Sequence, residues 1–361
     1  MRRLTLAALL LAAACRPAAL RAPEPPPAPP AWEAENPVRP LPRPPLGSGA
    51  DFARVPWVTP EKARLGRWLF HDPRLSADGT ISCATCHEPQ AAFSEERPVS
   101  TGIRGQVGRR KAPPILNAAW PLQPVFFWDG RARSLAEQAK GPIENPIEMG
   151  NTHEGAVRTV AAIAGYRPYF RQAFGDDGVD IDRIAEAIAA YEATRLSGDS
   201  AYDRFDAGDE KALSEEAIQG RDLFFGRAKC SACHLGPSFT DARFHNLGVG
   251  WKAPPPGRPA AEGFADRGRW EVTRAEKDLG AFKTPTLRNL ARRAPYMHDG
   301  SMKTLREVVV FYMRGGEENP WLAQDARDAD FMPCEVSALV AFLESLEGTG
   351  HEDRAPALFP R

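Results

Sequence analysis

The stretch that decides the fold is SCATCH, at residues 82–87, and a second stretch of the same form, KCSACH, lies at residues 229–234. Each contains C-x-x-C-H, the pattern typical of covalent c-type haem attachment. The spacing suits this chemistry because two thiols one turn apart can form thioethers with the two haem vinyl groups. The adjacent histidine then lies under the iron as an axial ligand. The sequence therefore predicts two c-type haems, one in each half of the chain.

The cysteine pairs have two other interpretations. One C-x-x-C-H alone could be a zinc or redox site, and each pair could form a disulfide. Two copies in one chain argue against zinc, and disulfides would leave His87 and His234 unexplained. Of the six cysteines, four are then used by haem, and Cys15 and Cys334 remain, the latter without an assigned role. The haem-attaching cysteines are Cys83, Cys86, Cys230 and Cys233.

The bulk composition is that of a soluble globular protein. The chain has 361 residues, of which 43% are hydrophobic and 26% are charged, and these proportions are ordinary. The formal net charge is −1, so no overall field attracts nucleic acid or an acidic membrane. No nucleic-acid partner is expected.

The first residues are typical of an exported protein. Arg2 and Arg3 precede an apolar run over 4–14 that is too short to span a bilayer. These features predict a signal peptide over 1–14. Either simple cleavage or acylation of Cys15 follows, and both place the mature protein in the periplasm, with a lipid anchor in the second case.

Helical periodicity dominates the remainder, and strand-like alternation is scarce. Thr59 and Ser214 stand where helix caps are expected, and long loops rich in glycine and proline join the helices. The fold class predicted is mainly α with long loops. The segments with the clearest helical spacing are 58–70, 181–195, 214–226, 304–316 and 335–348.

Four longer stretches resemble the bacterial di-haem cytochrome c peroxidases, and most closely their MauG-like branch. The resemblance extends over roughly residues 60–347. It implies two cytochrome c-like haem domains that face each other, hydrogen peroxide as a substrate, and a small redox protein or protein substrate as partner. A homodimer is also an expectation, since dimers occur in this family. The matching stretches are LGRWLFHDPRLSADGTISCATCH (65–87), FFWDGRARSLAEQAKGPIENPIEMG (126–150), CSACHLGPSFTDARFHNLG (230–248) and FKTPTLRNLARRAPYMHDGSMKTLREVVVFYMRGG (282–316).

The domain organisation follows from the resemblance together with composition. Residues 15–55 are rich in proline and predict an extended tether outside the fold. Residues 56–205 would form the N-terminal, peroxide-binding haem domain. Residues 206–350 would form the C-terminal, electron-transfer haem domain, and 351–361 a tail.

The resemblance assigns roles around the first haem. His87 would be the proximal ligand of the haem that binds peroxide. Ordinary members carry a distal histidine in a Gly-His-Gly segment, whereas Ile103 occupies that place in the segment TGIRG. Isoleucine cannot ligate iron, so this haem is expected to be open in the resting state. His71, in LFHDPRL, is the alternative distal ligand.

The resemblance also selects residues of the distal pocket and of the region between the haems. Gln138 and Glu148 match the family's distal pair. A carboxylate can move a proton between the two oxygens of peroxide, and an amide can orient peroxide by hydrogen bonding. Glu137 and Glu144 are equally good candidates on composition alone. Trp128 matches the tryptophan between the haems, although an ordinary core tryptophan is equally compatible with the sequence.

The second haem raises a choice between two adjacent side chains. The segment TLREVVVFYMRGG predicts a helix in which Thr304 and Glu307 form a capping box. Tyr312 falls on the face expected to be buried, and Met313 is turned about 100° away. Tyr312 matches the position where MauG-like members carry tyrosine and ordinary peroxidases carry methionine. The resemblance therefore predicts His234 and Tyr312 as the ligands of this haem, with a core tyrosine as the alternative.

One departure from the family concerns calcium. Members of the family carry asparagine, as a calcium ligand, before APP or APT, whereas this chain has Lys111 in RRKAPP. A cation cannot ligate calcium. Either the ammonium substitutes for the charge of calcium or the loop differs, and no calcium is expected in either case.

The predicted function is that of an exported di-haem peroxidase. An open haem would react with hydrogen peroxide, and a second His/Tyr-ligated haem would pass the oxidation to a redox partner or protein substrate. A conventional cytochrome c peroxidase, which uses cytochrome c electrons, is one alternative. A non-enzymatic di-haem electron carrier is another.

Overall fold

The computed structural model describes residues 28–120, 124–327 and 329–361, with the backbone alone at residue 327. The predicted signal peptide and Cys15 lie outside these residues. Within them, no helix is both long and apolar enough to cross a membrane.

The described residues are dominated by helices, as predicted, with two short strands and long loops. Strands β1 (Phe244–Asn246) and β2 (Ala281–Lys283) pair antiparallel, with His245 opposite Phe282. The α-helices are α1 (Ala31–Glu35), α2 (Pro60–His71), α3 (Leu135–Glu144), α4 (His153–Ala162), α5 (Arg167–Phe174), α6 (Ile181–Ala193), α7 (Ala201–Asp206), α8 (Glu215–Phe225), α9 (Trp270–Thr273), α10 (Leu305–Met313), α11 (Gln324–Arg327) and α12 (Val336–Glu344).

Two pairs of helices cross closely at glycines. In the pair α2 and α6, a Cβ atom on Gly66 would lie 1.7 Å from the carbonyl oxygen of Ala187. In the pair α8 and α12, a Cβ on Gly220 would lie 1.8 Å from the carbonyl oxygen of Ala338. Both crossings therefore require glycine. Each half of the chain thus has a helix, then a C-x-x-C-H motif, then a second helix packed on the first.

Apolar side chains form separate clusters around these helix pairs. One large cluster is built on α2 and α6 and includes the wholly buried Trp68, Phe70 and Tyr191. A second cluster lies among α8, α10 and α12 and includes Phe224 and Phe342. The two helix pairs therefore lie in separate apolar clusters.

Helix α10 begins and ends where the sequence predicts. The hydroxyl of Thr304 accepts a hydrogen bond from the backbone N–H of Glu307 (3.1 Å). Gly315 and Gly316 follow the helix with φ of 79° and 80°, a region that glycine enters without strain. The capping box is displaced by one residue, because the Glu307 carboxylate accepts from the backbone N–H of Lys303 (2.6 Å) rather than from Thr304.

The prediction that 15–55 is a tether outside the fold is wrong for the part that the structure describes. Asn36 is buried, and its amide donates to the carbonyl oxygen of Arg64 (2.9 Å) while Arg64 donates to that of Asn36 (2.7 Å). Further along, the buried Arg288 donates to the carbonyl oxygen of Gly47 (2.6 Å). An extended proline-rich chain keeps its carbonyl acceptors, and buried arginines use them.

Candidate functional site

The two C-x-x-C-H motifs have the same local geometry. Each begins with a single 3₁₀ turn, Cys83–Thr85 in the first and Cys230–Ala232 in the second. In both motifs the backbone N–H of the histidine donates to the carbonyl oxygen of the first cysteine at 2.9 Å. The backbone therefore holds the two motifs in the same way, with each histidine one turn after the first cysteine.

Both motif histidines are held in the form that ligates iron. Nδ1 of His87 lies 3.1 Å from the carbonyl oxygen of Phe93, and Nδ1 of His234 lies 2.9 Å from that of Phe239. A proton on Nδ1 satisfies these carbonyls and leaves the lone pair on Nε2. Burial lowers the pKa of both histidines, so the neutral form is favoured.

The four cysteines of the motifs are free to attach haem. None of the four forms a disulfide in the structure, which removes the disulfide interpretation. Burial is the main cause that raises the pKa of Cys83, and it raises that of Cys86 to about 11. These are not reactive surface thiols. Cys334 is exposed and is also unpaired.

A large cavity lies beside the second motif, and side chains from both halves of the chain line it. Its walls are mostly apolar, with four lysine or arginine side chains among them, namely Lys111, Lys229, Lys283 and Arg293. Burial lowers the pKa of Lys111 and Lys283 to about 8 and that of Arg293 to about 10. An apolar cavity with buried cations suits a haem, which is apolar except for its two propionates. The lining includes Cys230, Cys233, His234, Tyr312, Trp128 and Lys111.

Tyr312, and not Met313, lies in the wall of this cavity. Met313 packs against the apolar cluster of α8, α10 and α12 instead. Among the described residues, the Tyr312 hydroxyl has no hydrogen-bond partner in the protein. Burial, with a smaller contribution from the charges of Cys230 and Cys233, raises the pKa of Tyr312 above its ordinary value. The phenol is therefore neutral here unless a cation such as iron stabilises the phenolate.

Ile103, which the family resemblance puts at the position of a distal histidine, lies close to Glu148 in the first half of the chain. Its side chain is buried, and its backbone N–H donates to the carbonyl oxygen of Glu148 (2.7 Å). The side chain lies against Gly150, where an added Cβ would come within 3.2 Å of it. The segment 101–105 therefore lies next to Glu148, and the side chain of Ile103 offers no ligating atom.

The carboxylate of Glu148 has a different environment from those of Glu137 and Glu144. Its Oε1 accepts a hydrogen bond from the amide of Asn145 (2.6 Å), and burial raises its pKa against the opposing effects of Arg131 and Asn145. Its charge also contributes to raising the pKa of the two motif thiols. By contrast, Glu137 accepts from the backbone N–H of Arg133, and the exposed Glu144 pairs with His153, 3.3 Å away. Their carboxylates are committed elsewhere.

Gln138 lies half-buried on α3, which ends four residues before Glu148. Within the described part of the chain, the two side chains make no hydrogen bond to each other. The structure therefore brings the two segments together without joining the predicted pair directly.

Trp128 lies between segments of the two halves. Its indole N–H donates to the carbonyl oxygen of Lys111 (2.8 Å), and its own carbonyl oxygen accepts from the backbone N–H of Lys283 (2.7 Å). The indole ring meets the His298 ring edge to face, with 6.3 Å between centroids. Its place in the cavity wall puts an oxidisable ring beside the second haem site.

His71, the alternative distal ligand, is buried at the end of α2 beside Tyr191. Its Nε2 lies 3.5 Å from the Tyr191 hydroxyl, which itself donates to Asp353 (2.6 Å). Burial lowers the pKa of His71 to about 4, while Asp353 opposes this. Arg67 holds Asp353 with hydrogen bonds of 2.9–3.1 Å. The predicted tail 351–361 is thus packed on α2, a contact that no sequence pattern indicated.

Two further residues lie near the motifs that the sequence analysis did not single out, Glu192 and His245. Glu192 is 3% exposed, its Oε2 has no partner, and burial raises its pKa to about 8. It lies close enough to Cys83 to raise the pKa of that thiol. His245 lines the cavity and pairs with Asp241 (2.8 Å), which raises the pKa of His245 to about 10. His245 falls within a stretch that carried the family resemblance, whereas nothing distinguished Glu192 from other helical glutamates.

Comparisons with known proteins agree with this chemistry. A family model described as di-haem cytochrome c peroxidase matches residues 60–211. Methylamine utilization protein MauG of Methylorubrum extorquens is 40% identical over 291 residues, which cover 80% of this chain and 79% of that protein. Cytochrome c551 peroxidase of Nitrosomonas europaea is 40% identical over 306 residues, covering 84% of this chain and 86% of that protein.

Solved structures give the same result. A MauG-like protein associated with microbial copper homeostasis superposes with a TM-score of 0.72 and 32% identity, covering 86% of this chain and 94% of that one. The di-haem peroxidase BthA of Burkholderia thailandensis has a TM-score of 0.66 and 25% identity, covering 82% and 88%. The chain therefore belongs to the di-haem cytochrome c peroxidase family, whose named members include MauG, and is a di-haem peroxidase-type oxidoreductase.

Proposed function

We propose that the protein reacts with hydrogen peroxide at the haem of His87 and oxidises a protein substrate or redox partner through a second haem ligated by His234 and Tyr312. The observation that carries the proposal is the position of Tyr312. It lies in the wall of the cavity beside His234, whereas Met313 is packed into the apolar cluster. When bound, each c-type haem supplies a redox-active iron.

At the first site, the chain supplies an open face and a proton carrier. Ile103 provides no ligand, so peroxide has access. Glu148 takes a proton from one peroxide oxygen and returns it to the other, which is general acid–base catalysis. Burial keeps its pKa above the ordinary value, so this carboxylate takes up a proton more readily than an exposed glutamate does. Gln138 orients the peroxide by hydrogen bonding.

At the second site, the ligand decides the type of chemistry. A methionine raises the reduction potential of a haem. A phenolate is an anion and stabilises the oxidised metal, so it lowers the potential. With Tyr312 as ligand, the second site gives up an electron readily and needs no prior reduction by cytochrome c. Trp128 lies in the wall of this site and provides an aromatic route from the first half of the chain.

The conventional cytochrome c peroxidase remains the second candidate, supported by the similarity to the enzyme of Nitrosomonas europaea. It would favour Met313 as the ligand of the second haem, together with activation by reduction. The electron carrier is disfavoured by the buried Ile103, since a carrier needs both irons fully ligated. Periplasmic location, with or without a lipid on Cys15, and a homodimer belong to the same proposal.

The test compares the as-isolated oxidised protein with two variants, Tyr312→Met and Met313→Leu. Peroxide is added without reductant, and the optical spectrum is followed by stopped flow. We expect a fast spectral change in the wild type and in Met313→Leu. We expect Tyr312→Met to react only after one electron per chain has been supplied. A wild type that reacts only after reduction would identify a conventional peroxidase.

A further inference from the structure

The side chain of Lys111 is buried among backbone carbonyl oxygens. It is 5% exposed, and its ammonium group donates to the carbonyl oxygens of Glu95 and Arg97, the latter at 3.1 Å. Carbonyl oxygens grouped around a positive charge are also what a bound divalent cation uses in proteins. In this chain the positive charge belongs to a side chain.

The charges around Lys111 leave no place for a second cation. The carboxylate of Glu95 is wholly buried and already accepts from the Ser100 hydroxyl (2.5 Å), the Arg97 guanidinium (3.1 Å) and the backbone N–H of Ala112 (2.7 Å). Arg293 lies close enough to contribute to lowering the pKa of Lys111. Calcium takes six to eight oxygen ligands, and the oxygens here are in use. A calcium ion therefore does not fit this position.

The main chain of Lys111 joins the same position to the region between the haem sites. Its carbonyl oxygen accepts the indole N–H of Trp128 (2.8 Å), and its backbone N–H donates to the carbonyl oxygen of His298 (2.7 Å). The side chain of Lys111 is thus held by residues 95–97. Its backbone is held by the Trp128 indole and the carbonyl oxygen of His298. A movement of one set of contacts would be transmitted to the other.

The geometry points to Lys111 as a built-in structural cation that replaces a divalent ion and positions Trp128. The ammonium holds the carbonyls of residues 95–97, and this fixes the backbone on which the indole of Trp128 hydrogen-bonds. Lys111 is a positioning residue and does not take part in chemistry. The part of the inference that concerns Trp128 rests on the proposed function, whereas the structural role does not.

The experiment uses the haem-loaded protein and compares Lys111→Met with Lys303→Met, which removes an exposed lysine. Hydrogen exchange is followed by mass spectrometry in peptides that contain residues 95–112 and 126–130. Loss of the ammonium leaves buried carbonyls without a donor, so Lys111→Met is expected to exchange about tenfold faster in both peptides, and Lys303→Met like the wild type. Equal exchange in all three proteins would overturn the inference.

A third variant, Lys111→Asn, removes the charge and supplies an oxygen ligand. The wild type is expected to contain no calcium by elemental analysis and to be unaffected by a chelator. Lys111→Asn is expected to exchange faster in chelator and to return to the wild-type rate when calcium is added. This variant also decides the matter if Lys111→Met does not fold. One calcium per wild-type chain, or a Lys111→Asn protein that ignores calcium, would contradict the inference.

The exchange measurements do not depend on peroxide chemistry. If the proposed function failed, the peroxide reaction would differ from expectation while the exchange results stood. If the inference failed, exchange would be unchanged while the peroxide reaction without reductant was still observed. The two failures are therefore distinguishable.

Discussion

The carboxylate of Glu148 provides the sharpest test of the peroxide site. Replacing Glu148 with glutamine keeps the size of the side chain and an oxygen that can accept the Asn145 amide, now 2.6 Å away. The variant loses only the ability to carry a proton. General acid–base catalysis contributes roughly 10²–10⁴-fold, so the second-order rate constant for peroxide is expected to fall by about that factor. This corresponds to roughly 3–5 kcal/mol in the activation free energy.

The control is Glu144→Gln, which removes an exposed carboxylate four residues earlier whose partner is His153. Its rate constant is expected to stay within about twofold of the wild type, because surface ion pairs contribute little. The assay is stopped-flow mixing of peroxide with each oxidised protein at matched haem content. A Glu148→Gln rate constant within threefold of the Glu144→Gln value would refute the role of Glu148 as proton carrier.

The pH dependence provides a second check of the same residue. Burial raises the pKa of Glu148, so the carboxylate, which accepts the first proton, becomes available only as pH rises through that raised value. The wild-type rate is therefore expected to increase with pH above the ordinary glutamate range. The Glu148→Gln rate should lack this inflection.

Three further predictions concern stability and electron transfer. Gly66→Ala places a Cβ against the carbonyl oxygen of Ala187 and is expected to lower the free energy of unfolding by about 1–3 kcal/mol. The measurement is thermal unfolding followed by circular dichroism. The control is Gly108→Ala, where the nearest atom to the added Cβ is 3.4 Å away and the free energy of unfolding should change little. Burial raises the pKa of Glu192 to about 8, so as pH rises Glu192 loses its proton in the unfolded chain before it does so in the folded chain. The free energy of unfolding should therefore fall between about pH 4.5 and 8. Urea unfolding of Glu192→Gln should not show this fall. Trp128→Phe should slow oxidation of the second haem site in stopped-flow spectra without changing the initial reaction with peroxide, and an unchanged rate at the second site would exclude Trp128 from the route.

Much of the fold could be predicted from local sequence signals. Thr59 accepts from the backbone N–H of Lys62 (3.2 Å), and Ser214 accepts from that of Ala217 (3.1 Å), as their positions before apolar periodic segments indicated. The two haem motifs were equally local, since five residues contain both the attachment and the ligand. Such signals depend only on neighbours within one turn, so they need no knowledge of tertiary contacts.

The remaining features depend on contacts between distant segments. The proline-rich segment gave no sign that Arg288, far along the chain, uses the carbonyl oxygen of Gly47. Composition could not separate Glu148 from Glu137, because burial and the Asn145 contact distinguish them only in the folded chain. Likewise Lys111 was a departure from a pattern in the sequence, and its acceptors became evident only in three dimensions.

The choice between Tyr312 and Met313 depends partly on local sequence and partly on contacts between distant segments. Their angular separation on the helix follows from helix geometry alone, and the sequence therefore predicted that only one of them could face a haem. Which face was turned to the cavity depended on how α10 packs on α8 and α12. The structure places Tyr312 in the cavity wall and Met313 in the apolar cluster.

Resonance Raman spectroscopy of the oxidised, as-isolated protein is the most direct test of whether Tyr312 ligates the second haem. Iron-bound phenolate gives characteristic ring vibrations when the excitation falls in its charge-transfer band. With Tyr312 as ligand, we expect these vibrations in the wild type and in Met313→Leu, and their loss in Tyr312→Phe. A wild-type spectrum without these vibrations, or vibrations that persist in Tyr312→Phe, would contradict ligation by Tyr312.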